Sequence, residues 1–126
     1  ELGFIKKAHT RKSVLVQYVD DEMKVVYPDK NYQCATNFLL TNPDAEFNFG
    51  QDRYQIIDEK LNSSNGVLTS HEAMQLLSDC SQDAHKNKQG KISKTQWSCV
   101  YDLKKKRVTI CVNQNYDTEY SINVVE

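Results

Sequence analysis

The stretch CATNFLLTNPDAEFNFGQDRY, residues 34–54, decides how the rest of the chain is read, because polar residues there interrupt apolar runs without an evident surface role. It reads as a strand end that delivers Asn37, then a loop, then the start of a helix that carries Arg53. An Asn just beyond a strand, in Thr36-Asn37-Phe38, can aim its side-chain NH2 at a developing oxyanion with fixed geometry. The same residue type also serves turns, since Asn hydrogen-bonds nearby backbone. Residue type alone leaves both readings open.

Upstream, residues 13–19 (SVLVQYV) and 22–27 (EMKVVY) are β-branched and aromatic runs separated by Asp20-Asp21, the pattern of an antiparallel hairpin. Pro28 closes the second strand, and a short strand is expected over 32–36. Asn42-Pro43-Asp44 marks a turn, because Pro43 restricts Asn42 to extended geometry. Over 51–61 the spacing of Tyr54, Ile57 and Leu61 predicts an amphipathic helix of about three turns. Arg53 falls in its first turn, where the helix dipole favours anions, so the cation needs a reason to be there. Snorkelling over the surface, pairing with Asp52 or Asp44, and a role in a site all supply one.

Asn62-Ser63-Ser64-Asn65-Gly66 stops this helix, with Gly66 able to take a positive φ. Thr69-Ser70-His71-Glu72 is a capping box, and the helix it starts is expected to bury Ala73, Leu76, Leu77 and Cys80. His71 reads as solvated. Residues 81–93 (SQDAHKNKQGKIS) are polar and aperiodic, a long connection that is either a lid or a surface loop, with His85 exposed. Residues 95–102 (TQWSCVYD) and 107–112 (RVTICV) predict a second hairpin, and 119–124 (EYSINV) a terminal strand. Trp97, Cys99 and Tyr101 alternate with Gln96, Ser98 and Val100, as in a strand with unequal faces. Separate blocks of strands and helices indicate an α+β fold, with the helix pair on one face of an antiparallel sheet.

The bulk numbers exclude several classes. A chain of 126 residues is one domain in length, residues 1–126, and can bury a core. Sixteen Lys and Arg against seventeen Asp and Glu leave a net charge of -1, so no global field recruits nucleic acid or an anionic membrane. The run Lys104-Lys105-Lys106-Arg107 reads as a solvated hairpin turn. No segment approaches the roughly 20 apolar residues of a membrane-spanning helix. Cys34, Cys80, Cys99 and Cys111 show no C-x-x-C pair and no ligand spacing to His, which argues against zinc. Core thiols are favoured for them, disulfides stay open, and reduced thiols point towards the cytoplasm. Glu1-Leu2-Gly3-Phe4 carries neither an initiator Met nor a leader pattern, so a processed product or a piece of a longer protein is expected.

Three stretches together resemble the C-terminal part of the linear amide C-N hydrolases. This is the N-terminal-nucleophile branch that includes choloylglycine hydrolases, penicillin V acylase, acid ceramidase and the acyl-coenzyme A:6-aminopenicillanic acid acyltransferases. Ala35-Thr36-Asn37-Phe38 resembles the family's T-N-aromatic or T-N-H segment, and Gln51-Asp52-Arg53-Tyr54 its D-R or S-R-Y helix start. Residues 95–103 (TQWSCVYDL) are similar to the closing T-x-x-S-V-x-Y/M-D-L strand, so the resemblance covers roughly residues 10–124. It implies part of an αββα sandwich and hydrolysis or acyl transfer at a small-molecule linear amide, bile-salt-, penicillin- or N-acyl-amide-like. The nucleophile would be an N-terminal cysteine with its own α-amino group as base, and no cofactor or metal is called for. Asn37 would donate to the oxyanion, an interaction worth about 2.7–4 kcal/mol in the transition state. Arg53 would position the nucleophile or the acyl carbonyl.

The chain departs from that pattern at its start, where no Cys stands, and the arginine and aspartate that follow the nucleophile have no counterpart. Cys34 is no substitute, since an internal residue lacks a free α-amino group. The chain is therefore expected to be inactive alone, with the nucleophile on a separate N-terminal segment. A non-enzymatic α+β binding module is the alternative, and convergence of Asn37 and Arg53 on one cleft separates the two readings. Half of a sandwich leaves an apolar sheet face open, so a homo-oligomer with Trp97 or Tyr101 near the contact is expected.

Overall fold

The paired aspartates Asp20-Asp21 turn the chain back on itself with φ of 52° and 61°, both positive as a two-residue type I′ hairpin requires. In the computed structural model, which describes residues 3–7, 12–44, 49–87 and 89–124, this hairpin joins the strands at residues 12–19 and 22–26. With β1 (Gly3–Lys7), β2 (Lys12–Val19) and β3 (Glu22–Val26) form a three-stranded antiparallel sheet in the order β1-β2-β3. The chain divides into two compact units, Glu1–Val67 and Leu68–Glu126. Among the described residues both helices and every sheet are small, and the fold is α+β with antiparallel sheets.

In the first unit the sheet is followed by an irregular stretch and then helix α1 (Gln51–Ser63). Residues 45–48, in the loop expected after the Asn42-Pro43-Asp44 turn, lie outside the described residues. No strand forms over 32–36. Its polar groups go elsewhere: Gln33 Nε2 donates to Val26 O at 2.9 Å and the Thr36 hydroxyl to Gly50 O at 2.6 Å. Fully buried Gln17 on β2 accepts from Thr41 N and Thr41 Oγ1, both at 3.2 Å, which fixes the irregular segment to the sheet. Leu15, Val19, Cys34 and Phe38 complete the core. Phe38 meets Tyr54 of α1 edge to face, with centroids 5.2 Å apart. The helix ends in a Schellman motif. Asn65 takes a φ of 51°, its N–H donates to Asn62 O, and Gly66 N–H reaches back to Leu61 O at 2.7 Å.

The second unit opens on the expected capping box. Thr69 Oγ1 accepts from Glu72 N at 3.2 Å while Glu72 Oε2 accepts from Thr69 N at 2.8 Å, and α2 (Ser70–Asp79) follows. Thr69→Ala removes one side of this exchange and should cost about 1 kcal/mol in denaturant unfolding. An unchanged midpoint would show that the cap is redundant. The helix packs on β6 (Trp97–Asp102), which pairs with β7 (Arg107–Val112), and β7 pairs in turn with β8 (Tyr120–Asn123). Leu76 is buried as the spacing predicts, whereas Ala73, Leu77 and Cys80 are half-buried and Met74 is the deepest residue of the helix.

The stretch 81–93 is not wholly irregular: β4 (His85–Lys86) and β5 (Ile92–Ser93) pair across a turn in which Asn87 Oδ1 accepts from the amides of Gln89 and Lys91. Lys88 lies outside the described residues. All four cysteines are free thiols, Cys34 and Cys111 buried. Among the described residues no helix is long and apolar enough to cross a membrane.

Candidate functional site

The first turn of α1 is built without a side-chain cap. Gly50 occupies the N-cap position with φ 87° and ψ 20°, in the left-handed region. That conformation lets the Thr36 hydroxyl reach Gly50 O and brings the Arg53 side chain back across the glycine. A Cβ at Gly50 would stand 2.5 Å from Arg53 Nη2 and 3.2 Å from Thr36 Cβ. The glycine therefore serves both backbone conformation and close approach. Gly50→Ala should cost about 1–2 kcal/mol from left-handed strain and displace the guanidinium as well. Thermal unfolding that matched wild type would contradict that account.

Asn37 and Arg53, the two candidate site residues of the sequence, are brought together. Arg53 Nη2 donates to Asn37 Oδ1 at 2.8 Å. A guanidinium carries donors only, so its partner atom must be the amide oxygen, and the Asn37 NH2 is turned the other way. Asn37 itself is exposed and Arg53 half-buried. The cation in the first turn thus orients a neutral amide. A charged donor on the carbonyl oxygen also polarises the amide and strengthens its N–H groups as donors.

Beside this pair, sequence reasoning missed a second polar cluster. Tyr32 OH donates to Asp58 Oδ1 at 2.8 Å, and Lys30 Nζ donates to Tyr32 Oη at 2.9 Å and to Asp58 Oδ1 at 3.1 Å. These residues, with Gln33, Cys34 and Tyr54, line a cavity of about 160 Å³. Its spacing signal was present: Tyr54 and Asp58 stand four apart, hence on one face of α1, and Lys30, Tyr32 and Cys34 alternate. Their pairing across 26 residues was not legible.

The electrostatics of the cavity keep its groups in ordinary charge states. Burial pushes the Cys34 thiol up, so it is a neutral thiol at neutral pH and a poor nucleophile. Tyr54 is pushed up to about 12, by burial first and then by its hydrogen bond to Cys34. The hydrogen bond from Tyr32, and after it that from Lys30, holds the Asp58 carboxyl below the usual range. A depressed carboxyl contributes stability above its unfolded pKa and loses it as pH falls through the folded value. Unfolding free energy should therefore decline on acidification below about pH 4, and decline less steeply in Tyr32→Phe. Identical slopes in the two proteins would remove Tyr32 as the cause.

Among the described residues no group of three or more His, Cys, Asp or Glu side chains could hold a metal ion. Comparison with protein-family models, with curated proteins and with solved structures finds no match.

Proposed function

We propose that this chain is the C-terminal portion of a cysteine N-terminal-nucleophile amidohydrolase or acyltransferase acting on a small linear amide. The observation that carries the reading is the 2.8 Å hydrogen bond from Arg53 to Asn37. It joins the two segments whose resemblance to the linear amide C-N hydrolases is independent in sequence, and it leaves the Asn37 NH2 available to an incoming oxyanion. In this scheme the nucleophilic cysteine lies outside the present sequence and attacks the amide carbonyl with its own α-amino group as base. Asn37 donates to the oxygen as negative charge grows on it, and Arg53 holds the donor in place. The C–N bond then breaks, the amine leaves with the proton that the α-ammonium returns to it, and the acyl-enzyme passes its acyl group to water or to another amine.

The sheets support the finer architectural reading, an αββα sandwich. In the second unit α2 packs on β6, whose alternate residues Trp97 and Tyr101 are exposed apolar side chains of the kind that a second sheet covers in a sandwich. The test is intact-mass analysis of the naturally expressed parent protein. A mature N-terminal Cys upstream, followed by Arg and Asp, is the expected result. A native start close to Glu1 would overturn the hydrolase reading and leave a binding module.

A further inference from the structure

Lys30, Tyr32 and Asp58 stand in the wall of the cavity of about 160 Å³, and every residue that lines it belongs to the first unit. Val26, Pro28 and Leu40 add apolar wall, and Tyr27 and Tyr54 add aromatic rings. The volume is close to the roughly 150 Å³ that admits a benzene ring. Charge in the wall is unbalanced, with the carboxylates of Asp29 and Asp58 against one ammonium, that of Lys30.

The wall already holds one kind of group. Lys30 Nζ donates to Tyr32 Oη at 2.9 Å and to Asp58 Oδ1 and Oδ2 at 3.1 and 3.2 Å, and it lies 5.1 Å from the centroid of the Tyr32 ring. A carboxylate, a phenol oxygen and an aromatic ring around one nitrogen are the groups that recognise an alkylammonium. Lys30 does not saturate Asp58. A carboxylate offers about four lone-pair positions, and Oδ2 accepts from Lys30 alone. The two side chains are 40% and 32% exposed, so a small solute can reach both. An anion would meet two carboxylates there, and an apolar solute would strip water from Asp58 without replacing it.

We propose that this cavity binds a small primary amine as its ammonium, with Asp58 as the anchoring carboxylate and Lys30 as a tethered ammonium that the ligand displaces. The lysine stem is long and flexible enough to swing out to water. While it is seated it lowers the apparent affinity, since only molecules with Lys30 released can take the ligand. Asp58, its carboxyl held below the usual range, stays ionised through the exchange, and the neutral Cys34 thiol adds no competing charge. The proposal stands whether or not the chain takes part in amide chemistry.

Benzylamine is the probe, followed by proton-nitrogen NMR titration of the 126-residue chain, with benzyl alcohol as its neutral counterpart and benzoate as an anion of similar size. A ligand of about eight heavy atoms should bind wild type with a Kd of about 1–10 mM. Saturable shifts should appear around residues 26–34, Tyr54 and Asp58 with benzylamine, and with neither control. Lys30→Met should tighten benzylamine binding about 10-fold, because the tethered competitor and its like charge are gone. Asp58→Asn added to Lys30→Met should weaken it again by at least about 10-fold. If the double variant folds poorly, Lys30→Met decides alone, because a lysine with only a structural role gives no route to tighter binding. Glu59→Gln, the next residue along α1, should leave the affinity unchanged. No saturable shift in either wild type or Lys30→Met would overturn the proposal. Equal binding of benzyl alcohol would overturn it by showing a hole indifferent to charge, and benzoate binding that Lys30→Met removes would show an anion site instead. Benzylamine affinity that is unchanged or lower in Lys30→Met, or that falls in Glu59→Gln, would overturn it too.

Discussion

Asn37→Ala should lower turnover of the active parent protein by about 100- to 1,000-fold, the loss typical of removing one oxyanion donor. KM should change little, because the donor meets full negative charge only in the transition state. Truncation alone leaves an ambiguity, since Arg53 also loses the acceptor it reaches at 2.8 Å. Asn37→Asp resolves it. The carboxylate keeps an oxygen for Arg53 and improves that contact, so the fold should hold, yet it carries no N–H and adds negative charge where the oxyanion forms. Turnover should fall at least as far as in Asn37→Ala while the unfolding midpoint stays within a few degrees of wild type or rises. An active Asn37→Asp protein would mean that the amide only organises the loop.

Met74→Ala should cost about 2–5 kcal/mol, the range for deleting a long buried apolar side chain, read from urea unfolding. Met74 is 2% exposed, the deepest side chain of α2. Met74→Leu, close in volume, should cost less than about 1.5 kcal/mol. If alanine were tolerated as well as leucine, the space between α2 and the sheet would have to be collapsible rather than filled. The size of the loss follows from how little else the second unit buries, with Leu76 and Cys111 its other buried apolar residues among those described.

Local chemistry was the legible part. The Asp20-Asp21 turn, the stop at residues 62–66 and the capping box at Thr69 and Glu72 each rest on residues within a few positions of one another, and each forms as its residue types dictate. The pairing of β6 with β7 around the lysine turn is of the same kind, with Asp102 Oδ1 accepting from Lys105 N at 2.9 Å to close it. Met74 escaped because it stands about 100° round the helix from Ala73, at one margin of the apolar stripe, where a long flexible side chain reaches inward. The strand expected at 32–36 failed for a different reason. Tyr32, Gln33 and Thr36 spend their polar groups on α1, on Val26 and on Gly50, partners that no local pattern announces. β1 was also missed, because GFIKK alternates too briefly to stand out without its partner strand.

The candidate site divides along the same line. Asn37 and Arg53 could be named from residue type and from the resemblance of their segments, but only tertiary structure brings them to hydrogen-bond distance across 16 residues. The glycine that permits the approach, Gly50, gave no sign beyond its identity. The Lys30, Tyr32 and Asp58 cluster lay across a connection, a segment read as a strand and a segment read as a helix, and its members acquire meaning only when α1 is laid against the irregular segment. Side chains that cap a backbone neighbour are written in sequence, whereas side chains that meet across the fold are not.

The most direct measurement is the intact mass of the parent protein quenched within seconds of mixing with an activated acyl amide. The account predicts a mass increase equal to one acyl group, located by fragmentation on an N-terminal cysteine, formed slowly in Asn37→Ala. Turnover of the amide with no acyl adduct on cysteine, or an adduct that forms equally fast in Asn37→Ala, would contradict it.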